Sequence, residues 1–206
     1  MVTKMVKLIL ASASPRRIEL LHRIGLEAEV RPANADETIP EGMAPGLAVE
    51  ELSLRKASAA FREWKDTEEN ALVVIGADTV VSSDGVTLGK PADEQDARRM
   101  LQRLSGGKNT VFTGVTLLFI KDGKIEKRDT FHAKTDVYVY PMEEEEIRSY
   151  IRSGEPMDKA GAYGIQGIFG RYIEKIEGDY NNVVGLPSAL VYQHLKKLLS
   201  AAGDYI

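Results

Sequence analysis

Apolar positions along the chain predict alternating strands and helices. Val6–Leu10 is a short apolar run typical of a buried strand, and Arg16–Ile24 follows as a helix that ends at Gly25. Further helices are predicted at Leu47–Trp64, Ala92–Leu104, Glu143–Arg152 and Ser188–Ala202. Further strands are predicted at Ala28–Arg31, Leu72–Val81, Thr110–Ile120, Lys124–Tyr140 and Phe169–Ile176.

The connections between these elements indicate the fold class. Asp84-Gly85 and Asp122-Gly123 are turn dipeptides of the kind that join antiparallel strands, whereas several other strands are joined through helices. Gly154–Gly170 is predicted to be a glycine-rich loop, and residues 32–46 a second loop. This combination favours an α/β fold with a mixed central sheet flanked by helices.

Composition narrows the class of protein. The 206 residues suffice for one large domain or for two small lobes around a shared cleft. A net charge of −4 argues against a general nucleic-acid or membrane surface, and the absence of cysteine excludes disulfides and thiol chemistry. No apolar stretch approaches the ~18–20 residues of a membrane span, and the N-terminal residues lead into a strand rather than a signal peptide. We therefore expect a cytoplasmic location.

The segment Ser12-Ala13-Ser14-Pro15-Arg16-Arg17 is the first candidate site. Ser14 is a suitable N-cap and Pro15 suits the first helical position, but two arginines stand where the helix dipole favours acids. Backbone N–H groups, hydroxyls and guanidiniums at one turn are typical of an anion site. The alternatives are that both arginines are solvated or pair with acids of the chain itself.

The second candidate is Asp78, within the otherwise apolar strand Leu72–Val81. A buried carboxylate is costly unless it is paired, hydrogen-bonded or metal-bound. Gly76, two positions earlier, allows a ligand to approach the backbone closely. Asp78 is therefore interpreted as a metal ligand or a general base acting on water, with a salt-bridged structural aspartate as the alternative.

Three lysines on separate segments could add positive charge to the same ligand. Lys56 lies on a predicted helix, Lys90 stands between Gly89 and Pro91, and Lys159 follows Asp158. Together with the two arginines they could hold a triphosphate, with Mg²⁺ supplying further charge. Taken singly, each lysine is more typical of a surface residue than of a ligand-binding residue, and only the combination with Arg16 and Arg17 favours binding.

The segment Met157–Gly167 is the fourth candidate. Its glycine density is typical of a loop whose backbone approaches a ligand, although no P-loop ending is present. Gln166 carries both an amide donor and an amide acceptor, so it could read the edge of a nucleobase. The alternative is a loop in which Gln166 faces water.

These motifs, in this order, closely resemble the Maf family of nucleoside triphosphate pyrophosphatases. The resemblance spans residues 6–195, or nearly the whole chain. It is carried by residues 10–17 (LASASPRR), 76–79 (GADT), 89–91 (GKP), 158–167 (DKAGAYGIQG), 178–180 (GDY) and 184–187 (VGLP).

The resemblance implies a fold similar to that of inosine-triphosphate pyrophosphatase, with two lobes around a cleft, and hydrolysis of a nucleoside triphosphate to the monophosphate and pyrophosphate. The resemblance also indicates the subgroup of the Maf family that acts on dTTP and UTP, and it includes modified pyrimidine nucleotides as a further substrate class. A divalent cation (Mg²⁺ or Mn²⁺) is implied as cofactor, and a homodimer is a candidate assembly. The whole chain, 1–206, is expected to form a single domain of two lobes.

The resemblance also assigns roles to residues. It gives Asp78 the role of proton acceptor. It gives Arg16, Thr79 and Gln166 the role of specificity determinants. Matches to phosphate- or metal-contacting positions fall on Ser12, Ser14, Arg17, Glu37, Lys56, Lys90, Asp158 and Lys159.

The resulting hypothesis places the triphosphate at the turn formed by residues 12–17. Glu37 and Asp78 would bind the metal, and Asp78 would activate or orient the water that attacks the α-phosphorus. Whether Asp78 binds the metal or the water is left open. The alternative function is a non-catalytic nucleotide-binding regulator of septum formation or cell division.

Overall fold

The computed structural model describes residues 6–40, 42–64 and 71–200. Its strands are β1 (Lys7–Leu10), β2 (Ala28–Val30), β3 (Ala71–Ser83), β4 (Val86–Leu88), β5 (Lys108–Lys121), β6 (Lys124–Val139) and β7 (Ile173–Glu177). Its α-helices are α1 (Pro15–Arg23), α2 (Pro45–Trp64), α3 (Glu94–Leu104), α4 (Glu144–Arg152), α5 (Tyr180–Val184) and α6 (Ser188–Ser200).

The strands form one mixed sheet in the order β2-β1-β3-β5-β6-β7, with β4 paired to β3. β1 runs parallel to β2 and β3, so that Leu10 lies opposite both Val30 and Ile75. The pairs β3–β4 and β6–β7 are antiparallel. The predicted mixed α/β fold is therefore confirmed. As the sequence predicted, helical crossovers join parallel strands and tight turns join antiparallel ones.

The glycine-rich segment differs from its prediction. Instead of an irregular loop, it contains short 3-10 helices at Glu155–Asp158, Ala160–Ala162 and Ile168–Tyr172. The predicted strand Phe169–Ile176 was wrong at its start, because β7 begins only at Ile173. Phe169 and Tyr172 are both buried, three residues apart, which is the repeat of a 3-10 helix and not of a strand. Helix α5 was missed, since five residues give too short a periodic signal.

The chain divides into two compact units, and β3, β5 and β6 contribute residues to both. Unit 1 comprises Met1–Asp78, Thr113–His132 and Gly185–Ile206, and unit 2 comprises Thr79–Phe112 and Ala133–Val184. A cluster in unit 1 packs alanines of α2 against β1 and β5, including Ala57, Ala60, Ile9 and Leu118. The core of unit 2 contains a group of aromatic rings, in which Phe169 contacts Tyr150, Tyr163 and Tyr172. Two lobes around a cleft stay a prediction.

Among the described residues, no helix has the length and apolar character needed to cross a membrane.

Glu144 links two helices of unit 2 and makes their stability dependent on pH. Its carboxylate accepts hydrogen bonds from Arg98 Nε at 2.7 Å on α3, from Gln102 Nε2 at 3.0 Å and from Arg148 Nε at 3.0 Å. The Arg98 bond is the largest cause that lowers the pKa of Glu144 from 4.5 to about 2. Because the folded pKa is the depressed one, the stabilisation is complete above about pH 4.5 and is lost as the pH falls through about 2.

Glu144→Gln is therefore expected to lower the urea midpoint of unfolding near pH 6 and to converge with wild type as the pH approaches 2. The measurement is urea unfolding at a series of pH values. Glu126→Gln, an exposed change on β6, is the matched control. A gap between wild type and Glu144→Gln that stays constant with pH would contradict the prediction.

Candidate active site

The turn between β1 and α1 is organised by the Ser12 hydroxyl. Ser12 Oγ accepts hydrogen bonds from the Ser14 backbone N at 3.3 Å and from Arg17 Nη1 at 3.1 Å. Pro15 occupies the first turn of α1 as predicted. The prediction that Ser14 caps the helix was half right: Ser14 is the N-cap residue, but its side chain makes no capping hydrogen bond. Its hydroxyl is thus not engaged with the helix it precedes.

Arg17 points into the protein and binds two backbone carbonyls. Its Nε donates to Gly185 O at 2.9 Å and its Nη1 to Ala77 O at 2.8 Å. Burial lowers the pKa of Arg17, which Asp78 partly offsets, and the group remains charged at any working pH. Arg17 therefore ties the turn to the strand residue directly before Asp78, while Arg16 is partly buried on the same turn.

Asp78, Lys56 and Glu37 form a carboxylate–ammonium–carboxylate group. Lys56 Nζ lies 2.5 Å from Asp78 Oδ1 and 2.8 Å from Glu37 Oε1. The side chains of Asp78 and Lys56 are only 14% and 17% exposed, whereas that of Glu37 is 67% exposed. The salt bridge with Lys56 compensates the Asp78 carboxylate for its position in an apolar strand. This is what the alternative interpretation, a salt-bridged structural aspartate, predicts. The Asp78 side chain is also partly exposed, as a base or metal ligand requires.

Gly76 sets how closely α2 approaches β3. A Cβ at Gly76 would lie 2.2 Å from Ser53 O and 2.8 Å from the Ala57 backbone N, so no larger residue fits without a shift of the helix. Ser53 and Ala57 flank Lys56 on α2. The sequence predicted that a ligand would approach Gly76 closely. In the structure, the element that lies close to Gly76 is α2, the helix that carries Lys56.

Glu37 and Asp78 are the residues that fit a divalent cation. Their oxygens converge on one positive charge, the Lys56 ammonium, and hard cations such as Mg²⁺ prefer carboxylate oxygens. Among the described residues, no group of three or more His, Cys, Asp or Glu side chains is arranged to hold a metal. Mg²⁺ is commonly bound through one or two carboxylates together with substrate phosphates, so the two acids suit a shared site of that kind.

The remaining candidate residues belong to unit 2. Lys90 is exposed in the loop after β4, where Gly89 O accepts a hydrogen bond from Gly161 N at 2.9 Å. Lys159 is only 16% exposed, and its Nζ donates to Glu155 O at 2.6 Å and to Asp158 Oδ1 at 2.5 Å. Lys159 thus helps to shape the segment that carries it.

Thr79 and Gln166 occupy different settings in unit 2. Thr79 is partly buried in β3, and Gln166 is exposed in the turn between Gly164 and Gly167. Sequence reasoning missed Glu155, whose carboxylate lies beneath this turn and accepts hydrogen bonds from Tyr150 Oη at 2.8 Å and from Ile168 N at 2.9 Å. No local pattern could have revealed it, because both partners are set by the folding of the segment.

The structure therefore gathers Ser12, Ser14, Arg16, Arg17, Glu37, Lys56 and Asp78 in unit 1. It places Thr79, Lys90, Asp158, Lys159 and Gln166 in unit 2. A basic turn that Arg17 joins to the backbone directly before Asp78 is an arrangement suited to an anionic, phosphorylated ligand.

The chain belongs to the family described as Maf-like protein, whose model matches residues 7–198. It is 52% identical over 202 residues to the dTTP/UTP pyrophosphatase of Agathobacter rectalis, covering 94% of this chain and 98% of that relative. It is 46% identical over 193 residues to the dTTP/UTP pyrophosphatase of Pelotomaculum thermopropionicum, covering 94% and 97%. The family expected from the motifs is thereby confirmed.

Two solved structures align with part of the chain. The Staphylococcus aureus Ham1 protein aligns with a TM-score of 0.40 at 12% identity, over 65% of this chain and 71% of that chain. A nucleoside-triphosphatase (dITP/XTP pyrophosphatase) of Mycobacterium abscessus aligns with a TM-score of 0.35 at 14% identity, over 65% and 73%.

Proposed function

We propose that this protein hydrolyses dTTP and UTP to the nucleoside monophosphate and pyrophosphate. The observation that carries the proposal is the partly buried Asp78, paired with Lys56 in the same unit as the basic turn of residues 12–17. Relatives bearing the name dTTP/UTP pyrophosphatase at 42–52% identity support the same substrate class. Modified pyrimidine nucleotides are included among the proposed substrates.

Asp78 is the proposed proton acceptor. Its carboxylate would hold and deprotonate the water that attacks the α-phosphorus, and pyrophosphate would leave. The backbone of β3 fixes Asp78, and Arg17 fixes the carbonyl directly before it, so the base needs little reorganisation. A divalent cation (Mg²⁺ or Mn²⁺), when bound at Glu37 and Asp78, would neutralise phosphate charge.

Ser12, Ser14 and Arg16 are the proposed phosphate-binding groups of the turn. The hydroxyls and the Arg16 guanidinium can donate to phosphate oxygens, and phosphoryl transfer depends mainly on such positioning and charge neutralisation. Lys56 adds positive charge beside Asp78. Arg17 has two backbone carbonyls as partners, so we assign it chiefly the positioning of the turn.

Unit 2 carries the other proposed substrate-binding residues. Lys90, Asp158 and Lys159 would act on the phosphates or the metal, and Thr79 and Gln166 on the base. Cytoplasmic location and a homodimer stay predictions from the sequence.

The experiment that tests the function measures pyrophosphate release from a panel of nucleoside triphosphates with and without Mg²⁺. Metal-dependent release from dTTP and UTP, with little from CTP or purine nucleotides, would support the proposal. Nucleotide binding without any release would favour the regulator instead.

Gln166→Ala is expected to reduce base selectivity rather than abolish hydrolysis. Uracil presents an N3–H donor between two carbonyls, whereas cytosine presents an acceptor at N3, so an amide side chain can distinguish them. Loss of one such hydrogen bond should lower the UTP-to-CTP ratio of kcat/KM about tenfold. Gln193→Ala, an exposed change on α6, is the control, and an unchanged ratio in Gln166→Ala would remove Gln166 from base recognition.

A further inference from the structure

The turn that carries Gln166 is anchored in the core at both ends. Tyr163 is 6% exposed before the turn and Phe169 is fully buried after it, and their rings are in contact at 4.8 Å between centroids. Tyr163 Oη also donates to Asn109 Oδ1 at 3.0 Å, inside the core of unit 2. Between these fixed ends lies a short turn, residues 164–168, in which Gln166 and its two following residues are exposed.

The carboxylate of Glu155 lies against the backbone of this turn. Its Oε2 accepts the backbone N–H of Ile168 at 2.9 Å, and its Oε1 accepts the hydroxyl of Tyr150 at 2.8 Å. The same Tyr150 oxygen accepts the backbone N–H of Gly164 at 3.3 Å. The pair Glu155–Tyr150 therefore binds the turn on both sides of Gln166.

Glycine at position 167 makes this arrangement sterically feasible. A Cβ there would lie 2.2 Å from Glu155 Oε1, so the carboxylate can lie against the backbone only because position 167 has no side chain. Gly167 N also donates to Gly164 O at 3.2 Å, which closes the turn around Gln166. Burial and the neighbouring Glu155 raise the pKa of Tyr150 far above its usual value, so Tyr150 remains a neutral donor at all working pH values.

We propose that Glu155, together with Tyr150, is a positioning residue for base selectivity: it fixes the backbone from which Gln166 projects. The inference rests on the proposed function, in which Gln166 contacts the base. Discrimination by hydrogen bonds requires donor and acceptor to be held in place, because a mobile amide can adapt to either pyrimidine. Glu155 itself has no part in the chemistry of the α-phosphorus in this proposal.

The test compares Glu155→Gln and Tyr150→Phe with wild type in hydrolysis of UTP and CTP. Each variant keeps the size of the side chain and removes part of the hydrogen bonding beneath the turn. We expect the UTP-to-CTP ratio of kcat/KM to fall about tenfold in each variant, with kcat for UTP reduced much less. Glu145→Gln, an exposed carboxylate-to-amide change on α4, is the matched control and should leave the ratio unchanged.

A double-mutant cycle separates positioning from a general loss of structure. In a Gln166→Ala background, Glu155→Gln should leave the ratio where Gln166→Ala alone puts it, because the effect passes through Gln166. A purely structural role would instead lower kcat/KM for both nucleotides by the same factor and leave the ratio unchanged. That result, or an additive change of the ratio in the double variant, would overturn the proposal.

A second readout does not depend on catalysis. Amide hydrogen exchange of Ile168 should be faster in Glu155→Gln than in wild type, since its acceptor is weakened. If wild type released no pyrophosphate, the proposed function would fail by itself. The ratio of UTP to CTP affinity, measured by titration calorimetry, would then decide the role of Glu155: a fall in the variant would support it, whereas an unchanged ratio or the binding of neither nucleotide would overturn it.

Discussion

Asp78→Asn should fold like wild type and lose turnover by about 10²–10⁴-fold, the contribution typical of a positioned general base. Asparagine keeps the shape of the side chain but cannot accept a proton from water. The loss should appear in kcat with little change in KM, because the proton transfer takes place only in the transition state. Steady-state pyrophosphate release from UTP at saturating Mg²⁺ measures it.

The control for Asp78→Asn is the same change at Asp122, in the exposed turn between β5 and β6. Thermal unfolding of both variants checks that the fold is retained; Lys56 keeps Glu37 as a partner when Asp78 is replaced. Turnover of Asp78→Asn within about threefold of wild type would remove Asp78 from the proton transfer, since a general base contributes far more than that.

Gly76→Ala should cause a large loss of stability for a single methyl group. The added Cβ would meet Ser53 O at 2.2 Å, and a backbone carbonyl in the middle of a 20-residue helix has little freedom to move. Overpacking of this kind costs about 1–3 kcal/mol, and each kcal/mol lowers the Tm of a chain this size by about 2–4 °C. We therefore expect thermal unfolding about 2–12 °C below that of wild type.

Activity should fall with stability in Gly76→Ala, because a displaced α2 carries Lys56 away from Asp78. Gly89→Ala is the matched control: a Cβ at Gly89 meets no atom within 4 Å. Equal Tm values for wild type, Gly76→Ala and Gly89→Ala would show that α2 accommodates the methyl group and that its close contact with β3 is dispensable.

The sequence was most informative where the signal is local. Hydrophobic period and turn residues placed nearly all strands and helices to within a few residues, because burial on one face imposes the period along the segment itself. This approach failed for the glycine-rich segment, because its 3-10 helices at residues 155–172 are too short to show a periodic pattern. Their conformation depends instead on the packing of aromatic side chains in the core of unit 2.

The family motifs identified Asp78, the basic turn of residues 12–17 and Gln166 as candidate site residues without any knowledge of the fold. The hydrogen-bond and salt-bridge partners of these residues could not be predicted from the sequence. Arg17 donates to Gly185 O, 168 residues away along the chain, and Lys56 meets Asp78 across 22 residues. Glu155 had no distinguishing signal, although it contacts the backbone on the C-terminal side of Gln166.

The sequence by itself thus determined most of the strands and longer helices, the mixed α/β class and the residues that can carry the chemistry, since these depend on local period and residue type. The tertiary structure alone decided which cation lies beside Asp78, where the Arg17 guanidinium points and what holds the Gln166 turn. The physical reason is that a buried charge or donor takes its partner from whichever segments packing brings near, and packing is a property of the whole chain.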